Sequence, residues 1–305
     1  MNVNEAPSSL PTGRGFSRRT MLGALAATPA IAALLAACGS DAQTAATTAD
    51  STANSTGNSS TGSGIEHPAG KGEVVLRFGY VGGFVPQGFA FTNAPSLLVT
   101  GDGRVIQGGV VPAIYPGPLL PALNERSITE AGIQRLLDLA ETAHLLQTPP
   151  DYSAEIMVAD AADTQVIINA KGQQFLHQAA ALGFDTPEKT EARQALAKFV
   201  ELISDLATVV GAENLGPEIP LAPESYRLQA RVVTEQELTG FDIEPTRVPW
   251  PTDAGVSLAD AAQCAMVPAD AVGALLTEAN QLTYFTEGDA IYQVSAIALL
   301  PGDAC

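Results

Sequence analysis

Three cysteines and three histidines carry the side chains best suited to chemistry in this sequence of 305 residues. Cys38 ends an apolar run and is followed by Gly39-Ser40. A cysteine thiolate is the strongest side-chain nucleophile near neutral pH, so this sulfur suits thioether formation. Cys264 and Cys305 make an even pair, which in an oxidising compartment is expected to close as a disulfide. Two free thiols are the alternative. Bonded, the pair would close a loop of about 42 residues and contribute roughly 4 kcal/mol in the chain-entropy picture. His67, His144 and His177 have no ligand spacing to one another and no neighbouring cysteine. A metal centre would have to be assembled wholly from distant residues. His144 is expected near a helix end, where a cationic imidazole suits the dipole. No G-x-S-x-G, H-E-x-x-H or phosphate loop is present, nor a G-x-G-x-x-G following a strand. No metal, cofactor or catalytic residue is therefore expected. Gly101-Asp102-Gly103 lacks the further acids and the distal Glu of a calcium loop, and it reads as a hairpin turn.

Aromatic residues give the one binding hypothesis. Phe84, Phe89, Phe91 and Tyr115 lie in loops rich in Gly and Pro, and Trp250 sits between Pro249 and Pro251. Such loops commonly line ligand clefts. The competing reading is that these rings plug the ends of a sheet, as buried aromatics do.

The elements that must position these residues follow from periodicity. A strand is expected over Glu73–Tyr80, and a hairpin from Ser96–Thr100 into Arg104–Gln107. Tyr115-Pro116-Gly117-Pro118 forms a rigid turn. Ser127-Ile128-Thr129-Glu130 has capping-box spacing and opens a helix. Ile133, Leu136, Leu137 and Ala140 share one face of it, and it finishes before Pro149-Pro150. Glu155–Asn169 reads as a strand and turns at Lys171-Gly172. Thr186-Pro187 opens a long helix, with an apolar stripe through positions 192, 196, 199, 200, 203, 206, 207 and 210. Leu215–Pro223 is a proline-rich connector. Beyond it, strands are expected at Tyr226–Val233 and Cys264–Val267, then a helix over Asp270–Leu282. A hairpin follows, turning at Glu287-Gly288 into Ile291–Leu300. That last strand is expected beside Cys264–Val267, which would bring the two cysteines together. Hairpins alternating with single amphipathic helices imply an α+β fold: antiparallel hairpins covered by two or three helices.

The N-terminal segment differs from the rest. Residues 1–37 hold three arginines against one glutamate, so of the net charge of −18 the remainder carries −20. An acidic domain of this kind repels nucleic acid and anionic headgroups, and the same charge keeps proteins soluble. Arg18-Arg19, then the run Met21 to Ala37 broken by Pro29, reads as a signal peptide, its seventeen-residue run at the bottom of the range for spanning a bilayer and weakened further by Pro29 and several Ala. The paired arginines resemble the twin-arginine export signal, with a general secretion signal as the alternative. Leu35-Ala36-Ala37-Cys38 resembles the lipobox of bacterial lipoproteins. That resemblance implies a diacylglyceryl group on Cys38 and cleavage before it, and two acyl chains anchor stably. An uncleaved anchor or a chance cysteine is the other possibility. Ser40 to Gly64 has no Leu, Ile, Val or aromatic residue, so a disordered tether spanning roughly 25–30 Å is expected. The organisation is thus a signal peptide (1–37), a lipidated N-terminus and tether (38–72), an α+β domain (73–214) and a smaller α+β subdomain (224–305).

Val81-Gly82-Gly83-Phe84-Val85-Pro86, Gly101–Ile106, Ile114–Pro118 and the closing Leu299-Leu300-Pro301 resemble a group of uncharacterised exported lipoproteins of high-GC Gram-positive bacteria. The likeness covers about residues 74–301 and implies secretion and an α+β fold, with no assigned activity. The expected function is a lipid-anchored binding or envelope module on the outer face of the cytoplasmic membrane. Its partners would be the membrane, through Cys38, and an unidentified protein or small molecule. A hydrolase built on scattered carboxylates, or an inhibitor or partner-binding module, are the rivals. The hydrolase would need two carboxylates converging in a cleft, one with a raised pKa.

Overall fold

Period-two burial builds the first sheet. In the strand from Asp163 to Ala170, Thr164, Val166, Ile168 and Ala170 face inward. In the next, Phe175, His177 and Ala179 do so. The turn between them places Lys171 at φ 53° and Gly172 at φ 71°. Two successive positive φ values make the hairpin turn whose twist matches the flanking strands. The computed structural model describes residues 64–86, 88–153, 158–184 and 190–305. Arg18, Arg19, Leu35, Ala36, Ala37, Cys38 and the expected tether up to residue 63 lie outside the described residues, as does Thr186-Pro187.

In chain order the elements are β1 (Val74–Val81), the single turn α1 (Phe89–Thr92), β2 (Leu97–Thr100), β3 (Arg104–Gly108), β4 (Leu123–Ser127) and α2 (Glu130–Thr142). Next come β5 (Asp163–Ala170), β6 (Gln173–Ala180), α3 (Glu191–Ile203), α4 (Leu206–Val210) and β7 (Ile219–Pro220). The chain finishes with β8 (Ser225–Val233), β9 (Thr246–Pro249), β10 (Ala265–Pro268), α5 (Ala269–Glu278), β11 (Thr283–Glu287) and β12 (Ala290–Ala298). The fold is mixed α+β. A seven-stranded sheet runs β6-β5-β1-β2-β3-β4-β7, and a five-stranded sheet runs β10-β8-β12-β11-β9. Every pairing is antiparallel except β9 with β11, where Thr283 aligns with Thr246.

Apolar side chains explain how these elements hold. Val75, Phe78, Val99, Val105, Val166, Ile168 and Phe175 of the first sheet share one buried cluster with residues of three helices. Those are Ile133, Leu136, Leu137 and Ala140 of α2, Leu196, Phe199 and Ile203 of α3, and Leu206 and Val210 of α4. Each large side chain so buried contributes roughly 1.5–3 kcal/mol of transfer free energy. On the opposite face, Leu98, Ile106 and Leu123 meet Ile297, Ala298 and Leu300, which joins the two sheets. A further cluster under the second sheet gathers Leu228, Val267, Val272, Leu276, Phe285 and Val294.

Several expectations are corrected. Ser127 belongs to β4, paired with Arg104, and Thr129 is the N-cap of α2, its hydroxyl accepting from the Gly132 N–H at 3.2 Å. The apolar stripe after residue 190 is two helices. Thr190 caps α3, and Asp205 restarts the chain into α4. The strand expected over Glu155–Asn169 begins at Asp163. Residues 65–70, expected in the tether, lie against the fold. The Ile65 backbone is bracketed by the Gln134 amide, and the Lys171 N–H donates to the Glu66 carbonyl. β8 lies between β10 and β12, so the cysteine-bearing segments are not neighbouring strands. Cys264 and Cys305 are nevertheless bonded, with Cα atoms 5.3 Å apart. The tail after β12 passes β8, where the Leu299 N–H donates to the Ser225 carbonyl, and carries Cys305 to Cys264.

Candidate functional site

Strand register brings the aromatic loops to one end of the seven-stranded sheet. Val81 pairs with Asp163, Phe78 with Leu97, and Gly108 with Leu123. The 82–96 and 109–122 connections therefore leave the same end, about two strand spacings or ~10 Å apart. The turn at Gly101-Asp102-Gly103 and the root of the chain at residues 65–70 lie at the other end.

The first loop leaves β1 through Gly82 and Gly83, at φ 74° and 81°, a left-handed course that favours glycine. Gly88, at φ 84°, then opens α1. Phe91 turns inward against the cluster joining the two sheets, and the Arg227 guanidinium stacks 5.1 Å from its ring centroid. That anchor leaves Phe89 half exposed and Phe84 87 % exposed.

The second loop is fixed at its base, where the Gly109 N–H donates to the Ala122 carbonyl. Beyond Tyr115, whose bond to Pro116 is cis, the chain is tied to the connection between α5 and β11. The Gly117 N–H meets Gln281 Oε1 at 3.3 Å, and the Leu119 N–H donates to the Ala279 carbonyl. Between these ties Val110 is 92 % exposed, and Val111, Ile114 and Tyr115 stand largely in water. Neither loop, from Gly82 to Ser96 or from Gly108 to Ala122, contains a charged residue. Asp160, on the connection before β5, and Asp163, the first residue of β5, stand beside this end, where a Cβ on Gly83 would lie 3.2 Å from the Asp160 carbonyl oxygen.

Of the proposed binding residues, Phe84, Phe89 and Tyr115 come to this one end. Trp250 does not join them: it is 5 % exposed, packs edge-on to Phe285 at 5.6 Å, and donates from Nε1 to the Val256 carbonyl at 2.9 Å. Its flanking prolines read as a loop signal, but the ring belongs to the core of the second sheet.

Two polar constellations were not legible beforehand. The Tyr152 hydroxyl donates to His177 Nδ1 at 2.7 Å, and His177 Nε2–H donates to the Leu145 carbonyl at 2.8 Å. Burial lowers the His177 pKa, a shift partly offset by the bond to Leu145, and burial pushes Tyr152 up to about 12. Beside them the buried Arg193 donates to the carbonyls of Tyr152, Ala180 and Ala181. Its position three residues before Leu196, on the inward face of α3, was the available signal. This group ties the chain after α2 to β6 and α3, and its imidazole has no exposed surface from which to meet a substrate. The second constellation is Asp303, 2.9 Å from Arg77 of β1 and 3.7 Å from Arg227 of β8. It pins the C-terminal tail to both sheets.

Among the described residues, the carboxylates with a displaced pKa are held low. For Glu130, partial burial pushes upward, but hydrogen bonds from His67 and Gln134 and the His67 charge outweigh it. The Arg231 guanidinium, with the Thr234 backbone and hydroxyl, holds Glu237 at about 2. Among the described residues no group of three or more His, Cys, Asp or Glu gathers into a metal-holding cluster. No helix among them is long and apolar enough to cross a membrane. The chain matches no protein-family model, no curated protein and no solved structure.

Proposed function

We propose that the chain is an exported lipoprotein, held at the outer face of the cytoplasmic membrane by lipid on Cys38, and that its folded part is a binding or envelope module. The observation that carries this reading is Leu35-Ala36-Ala37-Cys38 closing an apolar run that begins after Arg18-Arg19. Two further facts support it. Cys264 and Cys305 are bonded to each other, a state that persists in oxidising compartments and leaves Cys38 as the one cysteine outside the bond. The uncharged aromatic loops stand in solvent at one end of the first sheet, where a partner can reach them. Within this module, α2, α3 and α5 serve as amphipathic covers of the hairpins, a role supported by the apolar clusters they share with the strands. The acidic balance of the chain disfavours nucleic acid as the partner. A carboxylate-based hydrolase is less well supported, because a general acid needs a raised pKa and the displaced carboxylates here are stabilised in their charged form.

Metabolic labelling with a fatty acid tests the anchor. Wild type should take up label, and Cys38→Ala should take up none, being either released or retained as an uncleaved precursor. Equal labelling of the two would sink the reading.

A further inference from the structure

A soluble domain rarely leaves whole aromatic and branched side chains in water at adjoining loop tips, because apolar surface gains on leaving water. Here Phe84 and Val110 do so, with Phe89, Ile114 and Tyr115 more than half exposed beside them, on two loops that leave one end of one sheet and carry no charge. Exposures of 87 % at Phe84 and 92 % at Val110 describe protrusions. A cleft for a small ligand would shield its lining, whereas protruding apolar tips fit a medium they can enter. A second copy of the chain is disfavoured by the net charge of −20 that each carries beyond residue 37.

We propose that these two loops form a membrane-docking tip, which inserts Phe84, Val110 and Ile114 into the headgroup–acyl boundary of an uncharged phospholipid bilayer. Tyr115 is suited to the interface itself, where its ring is apolar and its hydroxyl stays wet. Asp160 and Asp163, before and at the start of the adjoining β5, set the preference for zwitterionic over anionic lipid. This inference rests on the lipid anchor proposed above, which keeps the domain within reach of a bilayer. Cys38 and Gly64 are 26 residues apart. Covalent geometry lets that stretch extend to at most roughly 85–95 Å. An eight-residue strand such as β1 is only about 26 Å long. The tip can therefore reach the bilayer although the chain enters the fold at the opposite end of the sheet.

The test uses the full lipidated protein in phosphatidylcholine vesicles with brominated acyl chains, which quench tryptophan at short range. Trp250 is the single tryptophan and is buried, so its emission supplies an unquenched baseline. In Phe84→Trp, the emission contributed by position 84 should be lost in brominated vesicles while the Trp250 baseline stays. Adding Val110→Asp, or replacing much of the lipid by phosphatidylglycerol, should restore it. Protein held at the vesicles with position 84 unquenched overturns the tip and leaves the anchor standing. Protein that stays in the aqueous phase contradicts both. Unquenched protein that crosslinks in pairs through position 84 assigns the surface to a second copy, and likewise overturns the proposal.

Discussion

His177 is neutral because burial makes its charged form costly. Its two nitrogens are already matched to that state, Nδ1 accepting from Tyr152 and Nε2–H donating to the Leu145 carbonyl. The folded pKa lies below the ordinary value of about 6.5. The unfolded chain therefore binds the proton first as pH falls, and its side of the equilibrium gains. The contribution of His177 to stability is complete above about pH 6.5 and is lost progressively below it, toward the lowered folded value. Thermal unfolding should show a midpoint falling between about pH 7 and pH 5, and His177→Gln should remove most of that slope. Glu130 and Glu237 do not contribute there, because their pKa values lie below those of ordinary carboxylates and their stabilisation is lost only at lower pH. A flat wild-type profile across that window would refute this account of the histidine.

At the scale of elements, local patterns were legible wherever local residues decide. The Gly101-Asp102-Gly103 and Lys171-Gly172 turns and the inward face of α2 follow from short-range chemistry, and they stand where the sequence puts them. What was not legible depends on partners distant in sequence. Leu-Asn-Glu-Arg-Ser over residues 123–127 has no apolar alternation, and it becomes β4 because β3 and β7 offer backbone partners. Thr246–Pro249 lies among prolines and joins the sheet only through the parallel edge of β11. The continuous stripe through residue 210 concealed a break, because α3 and α4 present the same kind of face to the same cluster. Asp205 makes that break: its carboxylate accepts from the Thr208 N–H at 3.3 Å and the Thr208 hydroxyl at 2.6 Å, which also lowers its pKa. Asp205→Ala should lower the midpoint in denaturant, because the first turn of α4 loses the side-chain acceptor for its Thr208 N–H. No change would mean that packing of Leu206 and Val210 alone holds α4.

For the whole molecule, the decisive contacts are those of the last seven residues. Leu300 fills the cluster between the sheets, Asp303 sits between Arg77 of β1 and Arg227 of β8, and Cys305 closes on Cys264. The cysteine pairing was legible from the even count left beside Cys38 and the expectation of an oxidising compartment, but the route to it was not, because β8 intervenes. Cys264→Ser with Cys305→Ser should lower stability by about 2–4 kcal/mol, measured by denaturant unfolding. A loss well under 1 kcal/mol would show that Asp303 and Leu300 hold the tail unaided. The candidate site divides the same way. Aromatics in Gly/Pro loops marked Phe84, Phe89 and Tyr115, while the identical signal at Trp250 concealed a core residue, because prolines flank buried turns as readily as exposed ones.

Attachment of this molecule to a membrane through Cys38 is the claim on which the rest depends, and one measurement meets it directly: the intact mass of the protein extracted from membranes of cells that export it. The predicted mass is that of a chain beginning at Cys38, carrying a diacylglyceryl thioether, with Cys264 and Cys305 joined and no thiol open to alkylation. A mass corresponding to the chain from Met1, or to a cleaved chain with an unmodified Cys38, would contradict the account.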